Sequence, residues 1–251
     1  MFKIIIPNYN NEKWLDKCLS SVFNQTYKDF EVIVIDDMST DNSVNIIKKY
    51  PVKLIVADHK VYNGGARNIG IRFKSKQPYT MFLDSDDWLY KNDVLEKIAN
   101  ELKKNPVDCL TLQYNCIMDY GELVFTMKRN TLKDLVHNEN VACWTKIIKT
   151  ELIQEFPEGT LMEDAVQHIK QCNYIKTMAT SKFTSIAYNR MNTDALTNPK
   201  KNQTIKWKAS IFRLYADLME LWCENEECEA VRVETIKKVK DQIKEGIFVQ
   251  W

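Results

Sequence analysis

Four short polar motifs carry the side chains of this chain that could do chemistry. Asp84-Ser85-Asp86-Asp87 sets three carboxylates within four residues, directly after an apolar run. Like charges this close repel, and a cation is the usual reason to gather them. Hard ions such as Mg²⁺ or Mn²⁺ prefer oxygen ligands and often bind through few carboxylates plus substrate phosphates. A solvated acidic turn with a helix cap is the plain alternative. Asp36-Asp37-Met38-Ser39-Thr40-Asp41 follows another apolar run. Two adjacent acids at a strand end can accept hydrogen bonds from a base or ribose. A loop with Asp41 capping a helix accounts for the same residues.

The third motif is Asn63-Gly64-Gly65-Ala66-Arg67-Asn68-Ile69-Gly70. It is neither the dinucleotide fingerprint nor a P-loop. Gly64 and Gly65 permit close backbone approach, and Arg67 near a helix start suits an anion. A turn with an exposed arginine is the competing reading. The fourth motif is Phe156-Pro157-Glu158-Gly159-Thr160-Leu161-Met162-Glu163-Asp164. Thr160 and Glu163 fit a capping box, which gives Glu163 a structural task. Asp164 has less need of one. A carboxylate in the first turn of a helix is kept ionised, as a general base must be. His168 lies one turn further on, where packing explains it.

These motifs need elements to hold them. The apolar runs 2–6, 30–35, 53–57 and 79–83 read as buried strands, the first stopping at Pro7. Apolar spacing predicts helices over 12–25, through Ile46 and Ile47, over 64–74 and over 92–104. This alternation predicts an α/β fold, a mostly parallel sheet with helices on both faces. Ligands in such sheets bind outside the carboxyl ends of the strands, so the loops near 7–10, 36–41 and 84–88 should converge on one crevice. Beyond 105 the pattern predicts strands over 107–118 and 121–127. Helices are expected over 131–137, over 142–153, from near Met162, and over 204–246 with a break at Glu224–Glu229. The expected division is residues 1–198 (halves 1–105 and 106–198) and a helical extension, 199–251.

The chain has 251 residues and a formal net charge of +1, which argues against general nucleic-acid binding. Seven cysteines without C-x-x-C spacing predict reduced thiols rather than a disulfide framework or zinc ribbon. No window holds the roughly 18 apolar residues of a membrane helix, and the N-terminal apolar run is too short for a signal peptide. A soluble, cytoplasmic protein is expected.

Taken in order, Ile-Ile-Pro-Asn-Tyr-Asn, Val-Ile-Asp-Asp-x-Ser-Thr-Asp, Gly-x-Ala-Arg-Asn-x-Gly, Phe-Leu-Asp-Ser-Asp-Asp-Trp and Glu-Asp resemble the inverting glycosyltransferases of family 2, over residues 1–195. Trp144-Thr145-Lys146 resembles members that build bacterial surface glycans. The resemblance implies a GT-A (Rossmann-like) fold. It implies a nucleoside-diphosphate sugar donor, a UDP-sugar by default, and Mn²⁺ or Mg²⁺. By the same resemblance Pro7 and Tyr9 lie against the base, and Asp37 bonds it beside Asp36. Arg67 contacts the base or diphosphate, and Asp84 and Ser85 belong to the donor site. Asp86 holds the metal, supported by Asp87, and Arg190 after Tyr188 reaches the diphosphate. Asp164 is the catalytic base, with Glu163 beside it. Met38 stands where the family commonly has glycine, which implies a different turn there.

The implied reaction is a single displacement by an acceptor hydroxyl, on a glycan by expectation. Three rivals stand beside it. One is the same chemistry on a modified DNA base, for which Lys200, Lys201, Lys206 and Lys208 would supply a basic patch. The others are a nucleotidyltransferase and a sugar-nucleotide-binding protein without activity. Phe212, Tyr215, Met219 and Trp222 at helical spacing point to packing on the catalytic domain or on a second subunit.

Overall fold

Phe2–Asn8 (β1) is buried at every residue and organises the sheet around it. It runs parallel to Phe30–Asp36 (β2) on one side and Tyr79–Phe82 (β4) on the other, and β2 runs parallel to Lys53–Val56 (β3). The computed structural model describes residues 1–125, 142–159, 163–193, 223 and 226–245. The expected helix 131–137, the Thr160 cap, the lysine patch 200–208 and the aromatic stripe 212–222 lie outside them.

Side chains alternate across a strand, so β1 feeds two cores. Phe2, Ile4 and Ile6 meet Leu15, Leu19 and Val22 of Glu12–Phe23 (α1), Ile46 and Ile47 of Ser43–Ile47 (α2), and Leu95 and Ile98 of Val94–Lys104 (α4). Ile5 faces the other way, joining Ile33, Ile35, Phe156 and Ala66 of Tyr62–Arg72 (α3). Each such aliphatic side chain contributes about 1.5–3 kcal/mol on burial. Lys3, on the α3 side, is 1% exposed; its ammonium donates to the carbonyls of Ile71 and Phe73 and so satisfies the end of α3.

The second half mixes directions. Trp88–Leu89 (β5), Cys109–Met118 (β6), Gly121–Phe125 (β7), Lys146–Lys149 (β8) and Met178–Asn189 (β9) complete nine strands among the described residues, in the order β3-β2-β1-β4-β8-β6-β9-β5, with β7 on β6. β8 pairs antiparallel with both β4 and β6 and fuses the halves into one sheet. Glu163–Cys172 (α5) follows β8, and Glu226–Glu245 (α6) comes last.

Three local expectations need correction, and a fourth is narrowed. Residues 142–153 are not a helix: two 3-10 turns, Cys143–Thr145 and Thr150–Leu152, flank β8. Ile147 and Ile148 satisfied a helical spacing, but their β-branched side chains sit between two partner strands. β1 does not stop before Pro7, because Pro7 pairs with Ile35 and Asn8 with Asp36. The ladder to β4 ends at Ile5, so from there β1 is locally an edge and a missing N–H is tolerated. β9 had no strand assigned to it. Finally, the break expected at Glu224–Glu229 is narrower than that: Cys223 is not helical, residues 224–225 lie outside the described ones, and α6 is helical from Glu226, with its Cys228 buried against Cys172 and Ile175.

Candidate active site

The polar motifs after β1, β2 and β4 and the head of α5 meet at the carboxyl ends of the parallel strands, and Arg67 joins them. Arg67 is 1% exposed. Its Nη2 donates to Asp84 Oδ1 at 2.8 Å and its Nη1 to Glu163 Oε1 at 2.7 Å, with Asp164 Oδ1 3.6 Å from Nη1. Its guanidinium lies 5.3 Å from the Phe156 ring centroid. Burial alone would lower the Arg67 pKa. The Cys143 thiol and the carboxylates of Asp164, Asp84 and Glu163 reverse this and drive it well above its ordinary value.

Two neighbours in α3 fix this geometry. Asn68 Nδ2 donates to the Phe156 carbonyl at 2.9 Å, and Asn68 Oδ1 accepts the Phe156 N–H at 2.8 Å, so one side chain clamps the segment ahead of α5. Gly64 lets that segment come close: a Cβ there would sit 2.6 Å from Pro157 O and 3.3 Å from Glu163 Cβ. The close approach that the glycines were expected to permit is made, at Gly64, by the protein's own chain.

Glu163 and Asp164 open α5 and differ. Glu163 is buried, bonded to Arg67, and pushed up to about 7 by burial, with Asp164 adding and Arg67 opposing. The Asp164 side chain is 25% exposed, and its Oδ1 has no hydrogen-bond partner. Oδ1 is itself buried on the Arg67 side, so the exposed remainder of the Asp164 side chain is what an incoming group can meet.

The acidic loop is anchored from β9. Asn192 Nδ2 donates to Asp86 Oδ2 at 2.7 Å, and the Asn189 N–H donates to Asp87 Oδ1 at 2.8 Å. Asp86 is pushed up to about 6 by burial, then by Asp84, with Asn192 opposing. Asp87 is 1% exposed, raised far above the usual carboxylate range by burial and by Asp86 and Asp84, and its Oδ2 has no partner. Ser85 Oγ accepts from Asn11 Nδ2. Among the described residues no group of three or more His, Cys, Asp or Glu side chains is arranged to hold a metal ion. A cation held here would have Asp86 as its carboxylate and would need further oxygens from a bound ligand.

Asp36 and Asp37 are committed internally. Asp36 accepts from Asn8 Nδ2, Ser39 Oγ and the Ser39 N–H. Asp37 accepts the N–H groups of Val61 and Tyr62 at the head of α3 and pairs with Lys60 at 2.9 Å. Between the acids and Ser39, Met38 has φ 63°. The turn therefore keeps the left-handed geometry that suits glycine, correcting the different turn expected from the substitution, because Asp36 draws Ser39 back. Asn10 (φ 47°) and Tyr62 (φ 59°) share this conformation, so non-glycine strain sits beyond the ends of β1, β2 and β3. Pro7 is buried within β1, whereas Tyr9 is 49% exposed with Lys60 Nζ 2.8 Å from its ring centroid.

Arg190 stands apart from the Arg67 cluster. It is exposed, its Nη1 donates to Tyr188 Oη, and its N–H is held by the Ile117 carbonyl. Tyr188 stacks on Trp144 with centroids 4.9 Å apart. Lys60, Asn189 and Asn192 were absent from the sequence reading, since no spacing marks a lone lysine or two asparagines as partners of distant acids.

A family model described as glycosyl transferase family 2 matches residues 3–165. The poly(ribitol-phosphate) beta-N-acetylglucosaminyltransferase TarP of Staphylococcus aureus is 42% identical over 118 residues, 44% of this chain and 36% of TarP. The chain thus spans well under two thirds of that relative. Among solved structures, S. aureus TarS 1–349 in complex with UDP-GlcNAc superposes with TM-score 0.69 at 20% identity, covering 97% of this chain and 72% of TarS 1–349. The mannosyltransferase PcManGT from Pyrobaculum calidifontis, in complex with GDP-Man and Mn²⁺, gives 0.65 at 14%, covering 97% and 74%. At these identities the likeness establishes the fold, the GT-A arrangement of sheet and helices.

Proposed function

The chain belongs to glycosyl transferase family 2, and from that membership we propose that it transfers a sugar from a nucleoside-diphosphate donor to an acceptor hydroxyl with inversion at the anomeric carbon. One observation carries this reading. Arg67 ties the acidic strand end at Asp84 to the helix head bearing Glu163 and Asp164, which supports reading the donor and acceptor groups as parts of one site.

The Asp164 carboxylate accepts the proton of the acceptor hydroxyl, whose oxygen attacks the anomeric carbon from the face opposite the nucleotide. The bond to the diphosphate breaks in the same displacement, and the electron pair leaves with the phosphate oxygen. Glu163 holds Arg67, and Arg67 in turn keeps Asp84 and Asp164 in register. Pro7, Tyr9, Asp36, Asp37, Arg67, Asp84 and Ser85 form the donor side, with Arg190 reaching toward the diphosphate from β9. Asp86 would hold a divalent ion, Mn²⁺ or Mg²⁺, which when bound would supply positive charge for the departing diphosphate, and Asp87 anchors the loop that carries Asp86.

The donor is a UDP-sugar and the acceptor a glycan on this proposal, supported by what the TarP and TarS names and complexes say of those proteins. No helix of the described residues is long and apolar enough to cross a membrane. Product analysis decides the reaction class. Incubation with UDP-sugars, Mn²⁺ and a panel of glycan acceptors should release UDP and form a glycoside of inverted configuration. Pyrophosphate as the product would point to nucleotidyl transfer instead.

A further inference from the structure

We propose that Lys60 selects the nucleobase of the donor, favouring a base that presents a carbonyl oxygen at this end of the crevice, as uracil does, over one that presents an amino group, as cytosine does. The inference deepens the reading above and rests on it.

The Lys60 ammonium lies 2.9 Å from Asp37 Oδ2, 3.2 Å from the Asp37 carbonyl and 2.8 Å from the centroid of the Tyr9 ring. A lysine has three N–H donors and no acceptor. Two are directed at Asp37, and the third lies on the side of the half-exposed tyrosine. Asp37 itself is sealed: its oxygens take the Val61 and Tyr62 N–H groups and Lys60, and its side chain is only 3% exposed while that of Lys60 is 33% exposed. A base docking beside Tyr9 and Lys60 therefore meets the more exposed ammonium before it meets the sealed carboxylate. The ammonium can only donate. A carbonyl oxygen accepts from it, whereas an amino group sets donor against donor and leaves the cation without compensation for its lost water.

Uridine and cytidine diphosphates differ on one edge of the ring alone, which makes them the probe pair. Calorimetric titration of UDP and CDP, each with Mn²⁺, would compare the unsubstituted chain with Lys60→Met and Lys60→Gln. The unsubstituted chain should bind UDP roughly tenfold or more tighter than CDP, the scale of a hydrogen bond to a charged group. Both variants should draw the two affinities together, mainly by weakening UDP, while melting near the parent temperature. A preference surviving both substitutions would overturn the proposal. So would equal weakening of both nucleotides, since that is the effect of merely loosening Asp37. Absence of binding by either nucleotide to the unsubstituted chain would overturn the donor reading itself, and this inference with it.

Discussion

Arg67 and Glu163 are 96 residues apart in the chain, yet Arg67 Nη1 meets Glu163 Oε1 at 2.7 Å with both side chains almost wholly buried. The other arm of the guanidinium holds Asp84. Removing the cation leaves three acids facing one another, and breaking a buried pair on one side costs about 3–5 kcal/mol. Arg67→Ala should lose that much stability in urea unfolding. Arg67→Lys should recover little of it, because a point charge cannot fork to two carboxylates. A loss under about 1 kcal/mol, the scale of an exposed ion pair, would show that the bridge does not organise the site.

Asp164 lies beside that bridge, its buried Oδ1 3.6 Å from Arg67 Nη1 without a hydrogen bond and its side chain 25% exposed. Asp164→Asn should therefore cut turnover about 10²–10⁴-fold, the usual worth of general-base catalysis, while UDP–Mn²⁺ binding and melting temperature stay near the parent. Weakened nucleotide binding to the same degree would assign Asp164 to the donor rather than to the acceptor proton.

The first half of the fold was readable because its signals are local. Buried β-branched runs followed by acidic or glycine-rich turns gave β1 to β4 and the helices between them. Three of the motifs named the members of the Arg67 cluster, Arg67, Asp84, Glu163 and Asp164, but not their contacts with one another, since Arg67 was expected on the base or diphosphate. The second half resisted for the opposite reason. β8 and β9 are strands only because of distant partners, as with Trp88 and Ala187, 99 positions apart (187 − 88), and Ile147 and Ile148 satisfy a helical spacing equally well. Separation in sequence likewise hid Asn192 from Asp86, 106 residues away, and Lys60 from Asp37, 23 residues away. Met38 misled in a different way: its side chain departs from the expected glycine while its backbone does not.

That backbone makes a stability prediction. A left-handed non-glycine residue costs roughly 1–2 kcal/mol, whereas glycine adds about 0.5–1 kcal/mol of unfolded-state entropy. Met38→Gly should thus stabilise the chain by up to about 1 kcal/mol, visible as a raised melting temperature, since the Met38 side chain is 45% exposed and gives up little packing. A clear fall in melting temperature would mean that the exposed methionine packs on something the strain argument ignores.

The acidic loop makes a pH prediction. Asp86 titrates near 6 in the folded chain, raised from 3.8 by burial and by Asp84. Between those values the folded state keeps a proton that the unfolded chain has released. Stability from this group is therefore greatest at low pH and falls as pH rises toward about 6, by on the order of 3 kcal/mol at 1.36 kcal/mol per pKa unit. Asp86→Asn should flatten that part of a stability-against-pH curve. A cation has the opposite preference, because it binds the ionised carboxylate. Mn²⁺ affinity, followed by the loss of free-ion paramagnetic resonance signal with UDP present, should be steady above about pH 7 and fall roughly tenfold per unit below about 6. Affinity that stays flat down to about pH 5, or that survives Asp86→Asn undiminished, would place the cation on other oxygens.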